Sequence, residues 1–340
     1  MSILPSTVKA LLKSQTYPHK PQKIELVQTQ MSFIFLAGEY VYKIKKPVNL
    51  GYLDYTTLEK RHFFCHQELE LNRRLCPDVY LAVVPITMSL RGAKRRSNLL
   101  RIEGQGEAIE YAVKMKQLPQ DRMMDVLLPR GQVTLEMVAR VAEKLVGFHR
   151  KAETNQKSAA FGRLDVIRQN CDENFAQTEK YIGTSITAEK YQHIKNYTNN
   201  FVDSNASLFD KRVREGKIRD CHGDLHAAHV CFTDDICIYD CIEFNDRFRY
   251  SDVASEIAFL AMDLDRYQQA GLSRHLVNTY VRLSHDEELL KLLNFYKCYR
   301  AYVRGKVESF KLDDPYIPEE EKAKVLTAAR SYFQLAESYV

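Results

Sequence analysis

Apolar positions recur along the chain with two different spacings, and the change from one to the other falls near residue 118. Pro5 and Ser6 precede Val8, Leu11 and Leu12 at helical spacing, which predicts a short amphipathic helix before the breaker region Pro18 to Pro21. Lys23 to Gln28, Ser32 to Leu36 and Tyr40 to Lys45 then suit strands, with a tight Ala37-Gly38-Glu39 turn joining the second to the third. Thr57 to Leu75, where Leu58, Phe64, Leu69, Leu71 and Leu75 are mixed with charges, suits one long helix ending before Pro77. Tyr80 to Leu90, Asn98 to Glu103 and Ile109 to Lys116 are β-rich, separated by the basic loop Arg91 to Ser97 and the Gly104-Gln105-Gly106 turn.

From Met123 onward the spacing becomes helical: Val138, Val141, Leu145 and Phe148 form one stripe of Val133 to His149. The exception is Ile218 to Asn245, where short apolar strands surround a cluster of histidines and aspartates before helices resume at Asp252. The expectation is an α+β chain of two lobes, a β-rich lobe over 1–118 and a mostly helical lobe over 119–340.

A chain of 340 residues is long for one minimal core, which agrees with two units. Apolar residues make up 45% and charged residues 27%, the balance of a folded, water-exposed protein. Lys and Arg outnumber Asp and Glu by 49 to 44, a mild excess that suits anionic ligands such as nucleotides without indicating nucleic acid. No apolar run approaches the roughly 18 to 20 residues that span a bilayer. Met1 to Lys20 has neither a continuous apolar stretch nor a small-residue cleavage site, so a cytoplasmic location is expected, with no membrane partner. The eight cysteines are expected to be reduced, buried thiols.

The densest chemistry is His222-Gly223-Asp224-Leu225-His226-Ala227-Ala228-His229, with Asp240 following eleven residues after His229 at the end of the apolar run Ile236 to Tyr239. Phosphoryl transfer needs a carboxylate to orient the attacking hydroxyl and take its proton, and separate ligands for the metal that neutralises nucleotide phosphates. Asp224 and Asp240 fit those two roles. Protein kinases place a metal-binding Asn five positions after the loop Asp, and His229 occupies that position here. Imidazole suits softer metals than Mg²⁺, so His229 points toward Mn²⁺. The phosphates also need a strand Lys held by a helix Glu. Alternation puts Lys43 and Lys45 on one face of their strand. The alternative for both is the solvent-facing end of an edge strand. No Gly-x-x-x-x-Gly-Lys-Ser/Thr loop is present, which excludes the phosphate-loop kinases. Thr29-Gln30-Met31-Ser32 lies where a phosphate flap belongs, and Ser32 is its candidate contact; the alternative is an ordinary hairpin loop. Lys114 to Pro119 is the expected hinge.

With these residues the chain resembles the aminoglycoside phosphotransferase-like kinase superfamily, which includes choline and fructosamine kinases and carries His-Gly-Asp in place of His-Arg-Asp. It is most similar to a bacterial branch with patterns like Val41-Tyr42-Lys43-Ile44-Lys45-Lys46-Pro47, Leu71-Asn72-Arg73-Arg74-Leu75, Cys221 to His226 and Tyr299-Arg300-Ala301. Some members of that branch carry an additional phosphate-loop domain, and this chain is expected to act through the kinase-like unit alone. The resemblance implies a two-lobe protein-kinase-like fold and an ATP-dependent phosphotransferase acting on a hydroxyl of a small molecule, with ATP and Mg²⁺ or Mn²⁺ as cofactors. It implies Asp224 as base, Asp240 as principal metal ligand, His229 as second ligand, Lys43 as the phosphate-contacting lysine and Glu68 as its helix partner. Glu243 completes an Asp-x-x-Glu spacing like that of choline kinases; it is either a further metal ligand or a salt-bridged Glu.

Three other readings compete. A nucleotide-binding pseudokinase with a regulatory role would use His229 as the mark of a lost metal geometry. His222, His226 and His229 with Cys221, Cys231, Cys237 and Cys241 suggest a zinc-binding interaction protein, but no Cys-x-x-Cys pair is present, and strand alternation points Cys237 and Cys241 away from Asp240. The basic tip Arg91, Lys94, Arg95 and Arg96 lacks the interleaved aromatics of a nucleic-acid surface. Asp252 is expected to cap the helix after it and, by resemblance, to brace the catalytic loop. Arg300 and Arg304 share a helix face, where they bind an anionic substrate or pair with acids. Asp263, Asp265, Asp313 and Asp314 are the acids that a cationic acceptor would need to find together.

Overall fold

The computed structural model describes residues 4–89, 99–314 and 317–340, so the basic tip Arg91, Lys94, Arg95 and Arg96 lies outside the described residues. The chain divides into two units, Met1–Gln120 with Cys237–Asp246, and Asp121–Ile236 with Arg247–Val340. The segment Cys237–Asp246, expected in the second lobe, therefore belongs to the first unit.

The first unit is a six-stranded antiparallel sheet: β1 (Glu25–Gln28), β2 (Ser32–Ala37), β3 (Tyr40–Lys45), β4 (Tyr80–Ser89), β5 (Leu99–Ile102) and β6 (Ala108–Lys116), in the order β1-β2-β3-β6-β4-β5. Strand alternation sends Phe33, Phe35, Tyr42 and Ile44 to one face, where they form a core with Val8 and Leu11 of helix α1 (Ser6–Leu11). The register pairs Ser32 with Lys45 and Ile34 with Lys43, which places these four residues on the opposite face. Because β3 lies between β2 and β6, its lysines are not on a sheet edge.

Helix α2 (Leu58–Arg73) packs on β4 and β6, and Thr57 caps it by accepting from the Lys60 amide at 3.3 Å. Its buried stripe is Arg61, Cys65, Glu68, Leu69 and Asn72, largely polar, whereas Phe63 is exposed. A polar stripe is tolerated in a core only when each group finds a partner. Arg61 binds Glu110 and the carbonyl of Tyr55, and Asn72 accepts from the Cys241 amide at 2.8 Å. That last bond shows why Cys237–Asp246 joins this unit. The Asp240 amide also donates to the Tyr80 hydroxyl (3.2 Å), Asn245 donates to the Tyr52 carbonyl (3.1 Å), and Cys237 is disulfide-bonded to Cys76 just after α2. The disulfide corrects the expectation that all eight cysteines are reduced. Its partners are 161 residues apart, so no spacing along the sequence marks them as a pair, and the other six are buried thiols.

The second unit is mainly helical. Helix Val253–Arg266 is its centre, with every residue from Val253 to Leu264 buried, and it packs against helices Ala270–Ser284 and Leu289–Phe310. Asp252 caps it by accepting from the Ala254 amide at 2.8 Å and holds the fully buried Arg212 through both carboxylate oxygens. Strand Ile218–Asp220 pairs antiparallel with Tyr250–Asp252 and leads into the His222–His229 loop. None of the helices formed by the described residues is long and apolar enough to cross a membrane.

Candidate functional site

Two clusters of charged groups stand out, one in each unit. In the first unit Lys43 and Lys45 leave the same face of β3, as alternation requires, and Glu68 on α2 receives both: Lys43 reaches its Oε1 and Lys45 its Oε2, each at 2.8 Å. Lys43 also donates to Asp240 Oδ1 at 2.6 Å, and Lys45 to Glu243 Oε1, which accepts the Tyr55 hydroxyl at 2.6 Å as well. Both lysines are therefore partnered inside the unit, and the solvent-facing alternative does not hold for either. Burial works against the Lys43 ammonium, but Asp240, Glu68 and Glu243 outweigh it and raise its pKa well above the ordinary range. Burial likewise pushes the Glu68 carboxyl up, and the two lysines reverse this to leave it lowered.

The two halves of this cluster differ in access. Lys45 is 2% exposed and Glu243 is 7% exposed, whereas the Asp240 side chain is 41% exposed. Asp240 itself has a φ of +63°, in the left-handed region that a non-glycine residue occupies at a cost. Glu243 is the salt-bridged Glu of the two alternatives, since a cation on it would have to displace Lys45 and Tyr55. Ser32 departs from expectation. It is 1% exposed at the start of β2, with no hydrogen-bond partner for its Oγ among the described residues, so it presents no hydroxyl at the surface. The turn is instead closed by Thr29, whose hydroxyl accepts the amides of Met31 and Ser32. At the expected hinge, the Gln117 amide is bound to the Glu39 carbonyl at 2.8 Å and the Lys116 amide to the Val79 carbonyl at 2.9 Å.

In the second unit the His222–His229 loop is held from below by the buried helix. Glu256 Oε1 accepts the amides of His222 (2.7 Å) and Gly223 (2.8 Å), and its Oε2 lies 2.7 Å from His149 Nε2, whose other ring nitrogen meets the Tyr280 hydroxyl. Burial raises the Glu256 carboxyl, but His149, His222 and the loop amide outweigh it and hold it at about 2. Asp263 accepts the Ala227 amide at 2.9 Å, and Arg300 donates to the Gly223 carbonyl at 3.2 Å. Glu256, Asp263 and Arg300 thus brace the loop, while Asp252 acts as cap and Arg212 partner. Glu256 and His149 were missed in the sequence, and His226 was weighed there only in the zinc reading. Glu256 has a signal after all, a charge inside an otherwise apolar helical run.

Asp224 emerges from this braced loop with its side chain 31% exposed. Burial raises its carboxyl, but His226, His229 and Arg304 outweigh it and leave it well below the usual carboxylate range, so it is an anion able to accept a hydrogen bond from a hydroxyl. His229 donates through Nδ1 to the Asp224 carbonyl at 2.8 Å. Arg304 lies near Glu308, at 3.7 Å. The acids that a cationic acceptor would need together have partners of their own: Asp263 with Ala227 and Arg266, Asp265 with Lys297 and Tyr339, and Asp313 with Lys180 and Tyr181.

A choline/ethanolamine kinase family protein from Mesorhizobium loti superimposes on this chain with a TM-score of 0.52, over 98% of each chain and at 12% identity. The fold is kinase-like. At that identity the kinase-like fold is what the two share. No family model matches the chain. Uncharacterized proteins of Mycobacterium bovis and Mycobacterium tuberculosis are 29% identical to it over 286 residues, 84% of this chain and 54% of theirs. The chain spans about half the length of these curated relatives.

Proposed function

We propose that this chain is an ATP-dependent phosphotransferase acting on a hydroxyl of a small molecule. The observation that carries the proposal is Lys43, a strand lysine held by the helix residue Glu68 at 2.8 Å and by Asp240 at 2.6 Å, the set of groups that phosphoryl transfer on a kinase-like fold requires. Lys43 is the proposed phosphate contact, and Lys45 the buried anchor that fixes Glu68 and Glu243 around it. In the second unit Asp224 is the proposed base, positioned by Glu256 and Arg300.

Asp240 offers a divalent cation a part-exposed carboxylate beside Lys43, while Glu243 is excluded by its own partners. Such a cation would neutralise charge on the transferred phosphoryl group. Asp240 is the proposed ligand, for Mg²⁺ or Mn²⁺. A phosphoryl-transfer screen with ATP and either metal against sugars, amino alcohols and nucleosides tests the proposal. Transfer to one class supports it; nucleotide binding without transfer to any of them supports the pseudokinase alternative.

A further inference from the structure

Asp224-Leu225-His226-Ala227-Ala228-His229 folds as two local geometries in succession, and together they gather three donors. His226 has an extended backbone (φ −141°, ψ 172°), and it lies two residues from Asp224 on a stretch where the intervening Leu225 is fully buried. Residues two apart in extended chain share a side, so Asp224 and His226 come together. Ala227–His229 then forms one turn of 3₁₀ helix, in which side chains three apart eclipse each other. This brings the His229 ring over that of His226, with centroids 4.0 Å apart and the planes tilted by 38°.

The outcome is a carboxylate and two imidazoles whose donor atoms all lie within 4.8 Å of one another. His226 Nε2 is 3.5 Å from Asp224 Oδ2. Donors at about 2.1 Å from a tetrahedral ion are roughly 3.4 Å apart, so the 3.5 Å pair already has the separation of two ligands and is long for a hydrogen bond. The Asp224 carbonyl can only accept, so His229 Nδ1 must be the donor, and the lone pair of the neutral ring lies on Nε2. A ring orientation fixed by a carbonyl is typical of metal-binding histidines.

We propose that Asp224, His226 and His229 form a binding site for one transition-metal ion of the zinc class. Two imidazoles and one carboxylate select such an ion over Mg²⁺, which prefers oxygen. The site rests on second-unit residues alone and needs no nucleotide. If the proposed function is also right, a bound Zn²⁺ occupies the carboxylate of the proposed base, so zinc is an inhibitor whose action depends on His226.

The test uses the full chain without nucleotide, titrated with Zn²⁺ by calorimetry and with Co²⁺ by visible absorption, which reports nitrogen coordination directly. Wild type is expected to take up one Zn²⁺ at this site, and His226→Gln to weaken that binding by about tenfold or more, since even outer partners of metal ligands are worth 10 to 100-fold. Asp224→Asn provides a second, isosteric variant, and circular dichroism verifies that each is folded. Absence of zinc binding, or zinc and cobalt signals unchanged in both variants, overturns the proposal; the second result would place the metal elsewhere, for example at the exposed pair His62 and His66. ATP affinity measured in parallel with Mg²⁺ or Mn²⁺ keeps a failure of this site distinct from a failure of the phosphotransferase reading.

Discussion

Replacing Glu256 by alanine should damage the second unit more than removal of almost any other single side chain in it. The carboxylate is fully buried and takes three short contacts, from the His222 and Gly223 amides and from His149. Each hydrogen bond to a charged group contributes about 1.5 to 3 kcal/mol, and each buried donor left unpaired costs about 1 to 3 kcal/mol. The terms overlap, since one side chain serves all three, so the expected loss is about 4 kcal/mol. Glu256→Gln keeps an oxygen for the amides but lacks the charge, and should lose about 3 kcal/mol of that. The charge adds a pH signature. The carboxyl is held at about 2 against an ordinary 4.5, a folded value below the unfolded one. Its contribution, about 3 kcal/mol, is therefore complete above pH 4.5 and is lost as pH falls toward 2. Urea unfolding at neutral pH, repeated between pH 5 and pH 2.5, measures both effects. The gap between wild type and Glu256→Gln should narrow as pH falls through that window. An alanine cost below about 1 kcal/mol, or a gap independent of pH, would refute this account of how the loop is held.

Lys45→Met breaks a fully buried ion pair with Glu68 and Glu243 and should cost about 3 to 5 kcal/mol in thermal or urea unfolding; Lys43→Met, part-exposed, should cost less stability and more nucleotide affinity. Arg212→Ala leaves Asp252 buried without its cation and Asp286 with Lys217 at 3.4 Å, with a similar expected loss, and hydrogen exchange should rise first in Val253 to Ile257, where the Asp252 cap is disturbed.

The local part of this fold is legible in the sequence. Helix α2 begins at the Thr57 cap and ends before Pro77, and β2 and β3 flank the Gly38 turn, because caps, turns and alternation act over a few residues. The shared face of Lys43 and Lys45 was readable for the same reason. What escaped is long-range. Lys43 and Asp240 are 197 residues apart and Cys76 and Cys237 are 161 apart, and no periodicity encodes such a pairing. The buried stripe of α2 was not legible because it is largely polar: the face that packs carries Arg61, Glu68 and Asn72 beside Leu69. Ser32 was misplaced for a simpler reason, since a serine before a strand gives no sign of whether it faces solvent or the sheet.

The claim at the centre of this account is that Asp240 holds the cation of a bound nucleotide beside Lys43. Calorimetric titration of wild type and Asp240→Asn with ATP, in Mn²⁺ and in Mg²⁺, tests it most directly. Metal-dependent ATP binding by wild type that Asp240→Asn weakens and Asp224→Asn leaves intact is the expected result. A folded wild-type protein with no affinity for millimolar ATP in either metal would contradict it.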